Sequence, residues 1–334
     1  MYPRAKHLLR CGLFLGLCLA LMGGTAGAVT FNMINGDDPG EGFNDPSLGT
    51  VRVTAFQYAL DIWAGIIDEV YPGETINVLA TMDSMGGDAT SATLGAAGTV
   101  EYWGVVGAPT PDGPVLTAYG SALANHLIGE DVALGNPEIV ARFNSDVDNG
   151  TVLGPVNWYY GLDETPGGHI DFASVVLHEV GHGLNFFDTI TDAGQFWVHD
   201  GVDDVPGIYD RFLIQGATGG TRLVDMATDA ERAAALISED LYWMGANAVA
   251  ANSGVRPELY APDPYSPGSS TSHLDEVTFP AILMSPHYSG PQHSVDPIER
   301  GMFEDMGWTL TIPEPASLSL LGLGLFALAR RRRR

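Results

Sequence analysis

The stretch VVLHEVGHGLNFFD, Val175 to Asp188, sets His178 and His182 four residues apart with Glu179 beside the first. On an α-helix, positions i and i+4 lie ~40° apart around the axis with ~6 Å of rise. Both imidazoles then face the same way and can share one metal ion. Glu179 is turned by ~100°, so it flanks the ion rather than ligating it. A general base stands there to take a proton from a water activated by the metal. Zinc suits imidazole ligation; it lowers the pKa of a bound water toward ~7 and polarises a carbonyl. A catalytic zinc keeps three protein ligands and one open position, so the chain must supply a third ligand.

Two candidates stand out. HEVGHGLNFFD, His178 to Asp188, resembles the metzincin pattern HExxHxxGxxH, whose last position can be Asp; that resemblance would make Asp188 the ligand. Asn185 stands where the pattern has a turn glycine, and Asn tolerates positive φ better than other non-Gly residues. Further along, SSTSHLDEVTFPAILMSP, Ser269 to Pro286, holds His273 and, eleven residues later, Met284. This arrangement resembles the leishmanolysin-type metzincins, in which a long insertion separates the third histidine from HExxH and a methionine turn follows beneath the metal. ERGMFEDMGW, Glu299 to Trp308, resembles the segment after that turn. A closer likeness is to secreted bacterial proteins of the HExxHGLGF kind, which often carry SHxDE and LMxP strings; GEGFNDP, Gly40 to Pro46, is similar to theirs. The likeness covers the HExxH helix and roughly residues 269–308, not the N-terminal half. His273 lies in a Ser-rich loop with no helical or strand periodicity, where a histidine has little structural reason to occur. It is the preferred third ligand. Asp188 is the alternative, or an acceptor for a ligand N–H, and His199, His287 and His293 stay open.

The resemblance implies a zincin-like α/β (α+β) fold: a twisted sheet backed by the HExxH helix, and a C-terminal lobe carrying the third ligand. It implies a zinc endopeptidase acting on peptide or protein substrate, with Met284 in the methionine turn and Tyr288 as a candidate oxyanion stabiliser. Trp158-Tyr159-Tyr160 would be either the strand along which a peptide pairs or core packing. The family's cysteine latch has no counterpart beyond Cys18; an aspartate such as Asp37 could substitute for it. Two other classes compete: a non-catalytic surface or matrix protein on the same scaffold, and a zinc amidohydrolase acting on matrix polymer. Neither a degenerate binder nor a structural protein needs Glu179.

The chain ends are of another character. Arg4, Lys6 and Arg10 precede the apolar run Cys11 to Gly24, and Ala26-Gly27-Ala28 follow. This reads as a signal peptide, residues 1–28, removed by signal peptidase. At the other end Pro313-Glu314-Pro315, the apolar run Ala316 to Ala329 and five arginines resemble the PEP-CTERM sorting signal, residues 313–334. That resemblance implies exosortase processing, delivery to the cell surface or extracellular matrix of a Gram-negative bacterium, and membrane contact only through this tail. Residues 29–312 remain as the metallopeptidase domain, with lobes of about 29–185 and 186–312. The end signals hold eight of the 15 Lys+Arg residues and one of the 41 acids, leaving 7 against 40, net −33, with no lysine and neither cysteine. Such a surface repels nucleic acid and anionic membranes. It is compatible with bound calcium, but no EF-hand loop occurs, and Asp146–Gly150 (DVDNG) reads as a plain turn.

The elements that must position these residues are partly legible. Periodicity predicts helices over Thr54–Tyr71, Ser121–Gly129 and Asp229–Gly245. Strands are predicted over Ile76–Met82 and Glu138–Ser145, and a strand or sheet edge over Val156–Leu162. Asp171 is placed to cap the HExxH helix. Residues 29–50, rich in Gly, Asp, Asn and Pro, and the Pro/Ser/Gly-rich Pro257–Ser272 read as loops, and a Gly- and Ala-rich run without an assignment extends to about Gly120.

Overall fold

The computed structural model describes residues 10–11, 27–105, 107–108 and 110–311. The signal peptide, apart from Arg10, Cys11 and residues 27–28, and the sorting tail lie outside them.

Strict alternation builds the central strand, Thr75–Asp83, whose side chains alternate between buried and half-buried along its length. Four strands make the main sheet: β1 (Thr30–Asn35), β2 (Thr75–Asp83), β3 (Gly95–Thr99) and β4 (Ile139–Asn144), in the order β1-β2-β4-β3. β2 pairs in parallel with β1 and β4, while β3 runs antiparallel to β4 and forms an edge. Helices α1 (Gly49–Ala64), α2 (Ser121–Ile128) and α3 (Phe172–Gly183, the HExxH helix) accompany it. The chain is thus a mixed α/β (α+β) protein. A three-stranded antiparallel sheet follows, with β5 (Leu213–Gln215) between β6 (Thr221–Arg222) and β7 (Leu241–Trp243). One continuous core runs from Val29 to Leu310 and joins both halves. No helix among the described residues is long and apolar enough to cross a membrane.

α3 is fixed at both ends. Asp171 caps it by accepting from the Ser174 amide at 2.8 Å, as its position in the sequence requires. Phe172 then enters an aromatic cluster with Phe143, Trp158 and Tyr160, ring centroids 5.1–5.2 Å apart. Along the helix, Trp63 of α1 donates its indole N–H to the Leu177 carbonyl, and at the far end Trp308 donates to Leu184.

Four expectations need correction. The helix from residue 54 stops at Ala64, not Tyr71, because the chain turns at Gly65–Ile66 and Ile67 then bridges Leu310: the Ile67 carbonyl accepts from Val29 and the Ile66 carbonyl from Thr311. The helix from Asp229 ends at Ala235, and Leu241–Trp243 becomes a strand paired with β5. The aromatic run 156–162 yields only the two-residue strand Trp158–Tyr159, paired with Ile170–Asp171. Trp158 is core and donates to the Asn144 carbonyl, while the Tyr160 hydroxyl bonds Asp148, so these two side chains serve packing, the other reading of the run. Conversely, residues 29–50, expected as a loop, contain strand β1 (Thr30–Asn35), held in the sheet by its parallel pairing with β2, and GAAGT (Gly95–Thr99), which has no strand signature, forms edge strand β3.

GEGFNDP proves to be a folding element. Phe43 is buried against Phe56, and Asp45 takes the amides of Ser47 and Leu48 at the start of α1. Asp37 accepts from the Phe43 amide at 2.6 Å and the Met82 amide at 3.0 Å, tying the loop to β2. Its carboxylate is therefore engaged in structure rather than available as a latch, which corrects the expectation of an Asp37 switch. Asp37→Ala leaves two amides without an acceptor and should lower stability by about 1–3 kcal/mol; urea denaturation with an unchanged slope checks this, and an unchanged midpoint would contradict it.

Candidate metal centre

Three imidazoles meet at the C-terminal half of α3. His178 and His182 come from successive turns of the helix, and His273 arrives from the second half of the chain. They form the one cluster of three or more His, Cys, Asp or Glu groups among the described residues whose ligand atoms could share an ion. Their Nε2 atoms lie 3.1, 3.2 and 3.3 Å apart.

The other ring nitrogen explains the arrangement. Each Nδ1 sits 2.7 Å from a backbone carbonyl: His178 at Leu283, His182 at Phe186, His273 at Ser269. A carbonyl only accepts, so each Nδ1 carries the proton and each Nε2 presents a lone pair. Three lone pairs within 3.3 Å cannot hydrogen-bond one another. A cation between them removes the repulsion. Tetrahedral zinc with nitrogens at about 2.0–2.1 Å holds those nitrogens about 3.3–3.4 Å apart, so the donor set fits zinc in element, number and spacing. Burial holds all three rings neutral: it lowers His178, lowers His182 to about 3 and holds His273 well below its usual value, with the neighbouring imidazoles adding to the effect for His182 and His273.

Each carbonyl is placed by local structure. After α3 the chain turns at Asn185, φ +79°, and the Phe186 amide bonds the Gly181 carbonyl. The asparagine thus makes the turn that the resemblance assigns to glycine, and the turn aims the Phe186 carbonyl at His182. His273 is strung between two segments: its carbonyl accepts from the Tyr260 amide, and the Leu274 amide donates to the Met284 carbonyl. The Ser-rich segment is therefore paired backbone at this point. Met284 is fully buried beneath α3, and a Cβ added at Gly181 would lie 2.9 Å from its sulfur. Gly181 is the gap that admits the methionine between the two helical ligands.

Glu179 faces β3. Its carboxylate accepts from the Ala97 amide, and a Cβ at Gly95 would come within 2.8 Å of its side chain. Burial raises this carboxyl from the usual 4.5 to about 8. Gly95 and Ala97 act through backbone and absence of bulk, so their residue types gave no signal in the sequence.

The remaining candidates lie elsewhere. Asp188 is outside the cluster; burial, then the neighbouring Asp210, hold its carboxyl well above the usual range, and its amide takes Ser272 Oγ. No ligand N–H reaches it, since all three go to carbonyls, so the expected acceptor role is corrected. The Tyr288 hydroxyl accepts from the Asp171 amide at 2.9 Å, seven residues before His178. That is ~10 Å of helix rise away, so Tyr288 is not brought to the imidazoles. His199 accepts from the Gly201 amide, His287 pairs with Glu276, and His293 with Asp171. In DVDNG, Asp146 takes Ser84 and Gly86, and Asp148 pairs with Arg52, so both carboxylates are already engaged.

Two outcomes follow. His273→Ala should abolish retention of one zinc per chain, while Asp188→Ala should leave it largely intact; metal analysis after gel filtration distinguishes them, and the reverse pattern would exchange their roles. In metal-free protein, folded Glu179 binds a proton that the unfolded chain releases between the usual 4.5 and about 8. Its contribution to stability therefore falls as pH rises through that window. Chelator-treated Glu179→Gln should gain stability over wild type at pH 8 and lose that advantage by pH 5 in urea titrations; a gap independent of pH would contradict the assignment.

Residues 311–334 match the family model of the PEP-CTERM protein-sorting motif. No curated protein and no solved structure matches the chain. The motif marks the protein as exported and anchored at the cell surface or extracellular matrix of a Gram-negative bacterium, with exosortase recognising it during export.

Proposed function

We propose that this is a cell-surface or secreted zinc-dependent endopeptidase. The observation that carries the reading is the trio of Nε2 atoms 3.1–3.3 Å apart, each with its Nδ1 proton committed to a carbonyl, beside a buried Glu179. The resemblance of HEVGH, His273 and Met284 to the leishmanolysin-type metzincins points the same way, and with it we read the mixed α/β architecture as zincin-like.

Zinc bound there supplies Lewis acidity, lowering the pKa of a coordinated water toward ~7 and polarising a carbonyl. His178, His182 and His273 hold the ion, and their carbonyl partners fix tautomer and ring plane. Glu179 takes the proton of the attacking water and passes it to the leaving amine. A cation beside it favours its ionised form over the protonated one that burial alone prefers. The amide of Ala97 orients the carboxylate. β3 lies beside it as an edge strand, so an extended peptide can pair along β3 and bring its carbonyl past Glu179. That backbone template favours a peptide over a matrix-polymer amide, and the retained Glu179 favours an enzyme over a passive binder.

The purified exported protein should cleave casein, with activity lost to a chelator, restored by zinc, and reduced at least 10²-fold in Glu179→Gln as expected for loss of a general base. Stoichiometric zinc without chelator-sensitive cleavage would instead support the binder or the amidohydrolase.

A further inference from the structure

We propose that Glu299 is a positioning residue for the zinc ligand His178, acting through the peptide group that joins Leu283 to Met284. This rests on the zinc reading above and extends it to a residue on a different helix.

The carbonyl of that peptide accepts from His178 Nδ1 at 2.7 Å, and the amide N–H of the same peptide donates to Glu299 Oε1 at 2.5 Å. The order is imidazole, peptide, carboxylate. Negative charge on the N–H side of an amide polarises it and makes its oxygen a stronger acceptor. The histidine that donates to that oxygen becomes a better ligand, as when a carboxylate meets a zinc-bound histidine directly. The corresponding peptide behind His273 differs: the amide after the Ser269 carbonyl donates to a neutral group, the Ser266 carbonyl.

Helix capping alone does not account for Glu299. It lies in α4 (Pro297–Met306), where its second oxygen accepts from the Asp296 amide at 2.8 Å and completes a capping box. The helix at Asp229–Ala235 has an equivalent box, and its glutamate, Glu231, is exposed. Glu299 is 0 % exposed, so its carboxylate bears a desolvation cost that a cap does not require. Burial raises it to about 8, and a cation at the far end of the relay favours its charged form. The amide of Leu283 also bonds this carboxylate, so Glu299 grips the turn on both sides of residue 283.

The test compares the purified exported protein with Glu299→Gln and Asp296→Ala, using zinc affinity by chelator competition and the imidazole NMR resonances of the zinc-loaded forms. Glu299→Gln should bind zinc about ten-fold or more weakly, with the Nδ1 proton of His178 moving and those of His182 and His273 unmoved. Asp296→Ala weakens the cap of the same helix and should lower the melting temperature while leaving zinc affinity within about two-fold. Wild type gives a readout independent of any variant's folding: zinc loading should shift the Met284 amide resonance more than that of Asp296. Unchanged affinity in Glu299→Gln, equal weakening in both variants, or a Met284 amide indifferent to zinc would overturn the relay. Wild-type protein that retains no zinc would overturn the metal reading itself.

Discussion

The site depends on where three protons are. Each imidazole gives its Nδ1 hydrogen to a backbone carbonyl 2.7 Å away, and this leaves three lone pairs facing one another across little more than 3 Å. Such a cluster is unfavourable without a cation. It is also buried, so protonation cannot relieve it cheaply. The surrounding structure must therefore be rigid enough to hold an arrangement whose repulsion only a bound cation would relieve.

That rigidity comes from three separate pieces of backbone. The turn at Asn185 presents the Phe186 carbonyl to the helix that precedes it. The turn at Leu283–Met284 presents a carbonyl to His178 from beneath, with Met284 seated in the space left by Gly181. The loop at Ser269–His273 supplies its own carbonyl and is pinned to Tyr260 and Met284 by main-chain hydrogen bonds. All three rest on one core, to which α1, α3 and α4 contribute Trp63, Phe172 and Phe303. Trp63 links these levels: its indole bonds the helix carrying His178 and His182, and its ring meets Phe303 edge-on at 5.0 Å.

What the sequence disclosed divides along physical lines. Imidazole spacing, the Asp171 cap and the alternation of Thr75–Asp83 are local signals, and the helix and central strand are found close to where they were expected. His273 was legible from an isolated histidine in a segment without periodicity, helped by resemblance. The two helices are shorter than apolar spacing suggests, because that spacing does not distinguish a helix from other buried backbone: Ile67 bridges Leu310 after a turn, and Leu241–Trp243 pairs with β5. β3 was invisible: GAAGT has no β-branched alternation, and its place beside Glu179 depends on small size and main-chain hydrogen bonds. Tyr288 shows the opposite error, since a suitable side chain four residues after Met284 is directed to the far end of α3 instead.

The sorting motif takes this chain to the cell surface or matrix. X-ray absorption at the zinc edge of the purified exported protein tests the central claim most directly. The account predicts one zinc per chain, with three imidazole nitrogens at about 2.0–2.1 Å and one light oxygen ligand. A well-folded protein without stoichiometric metal, or zinc in a shell with fewer than three imidazoles, would contradict it.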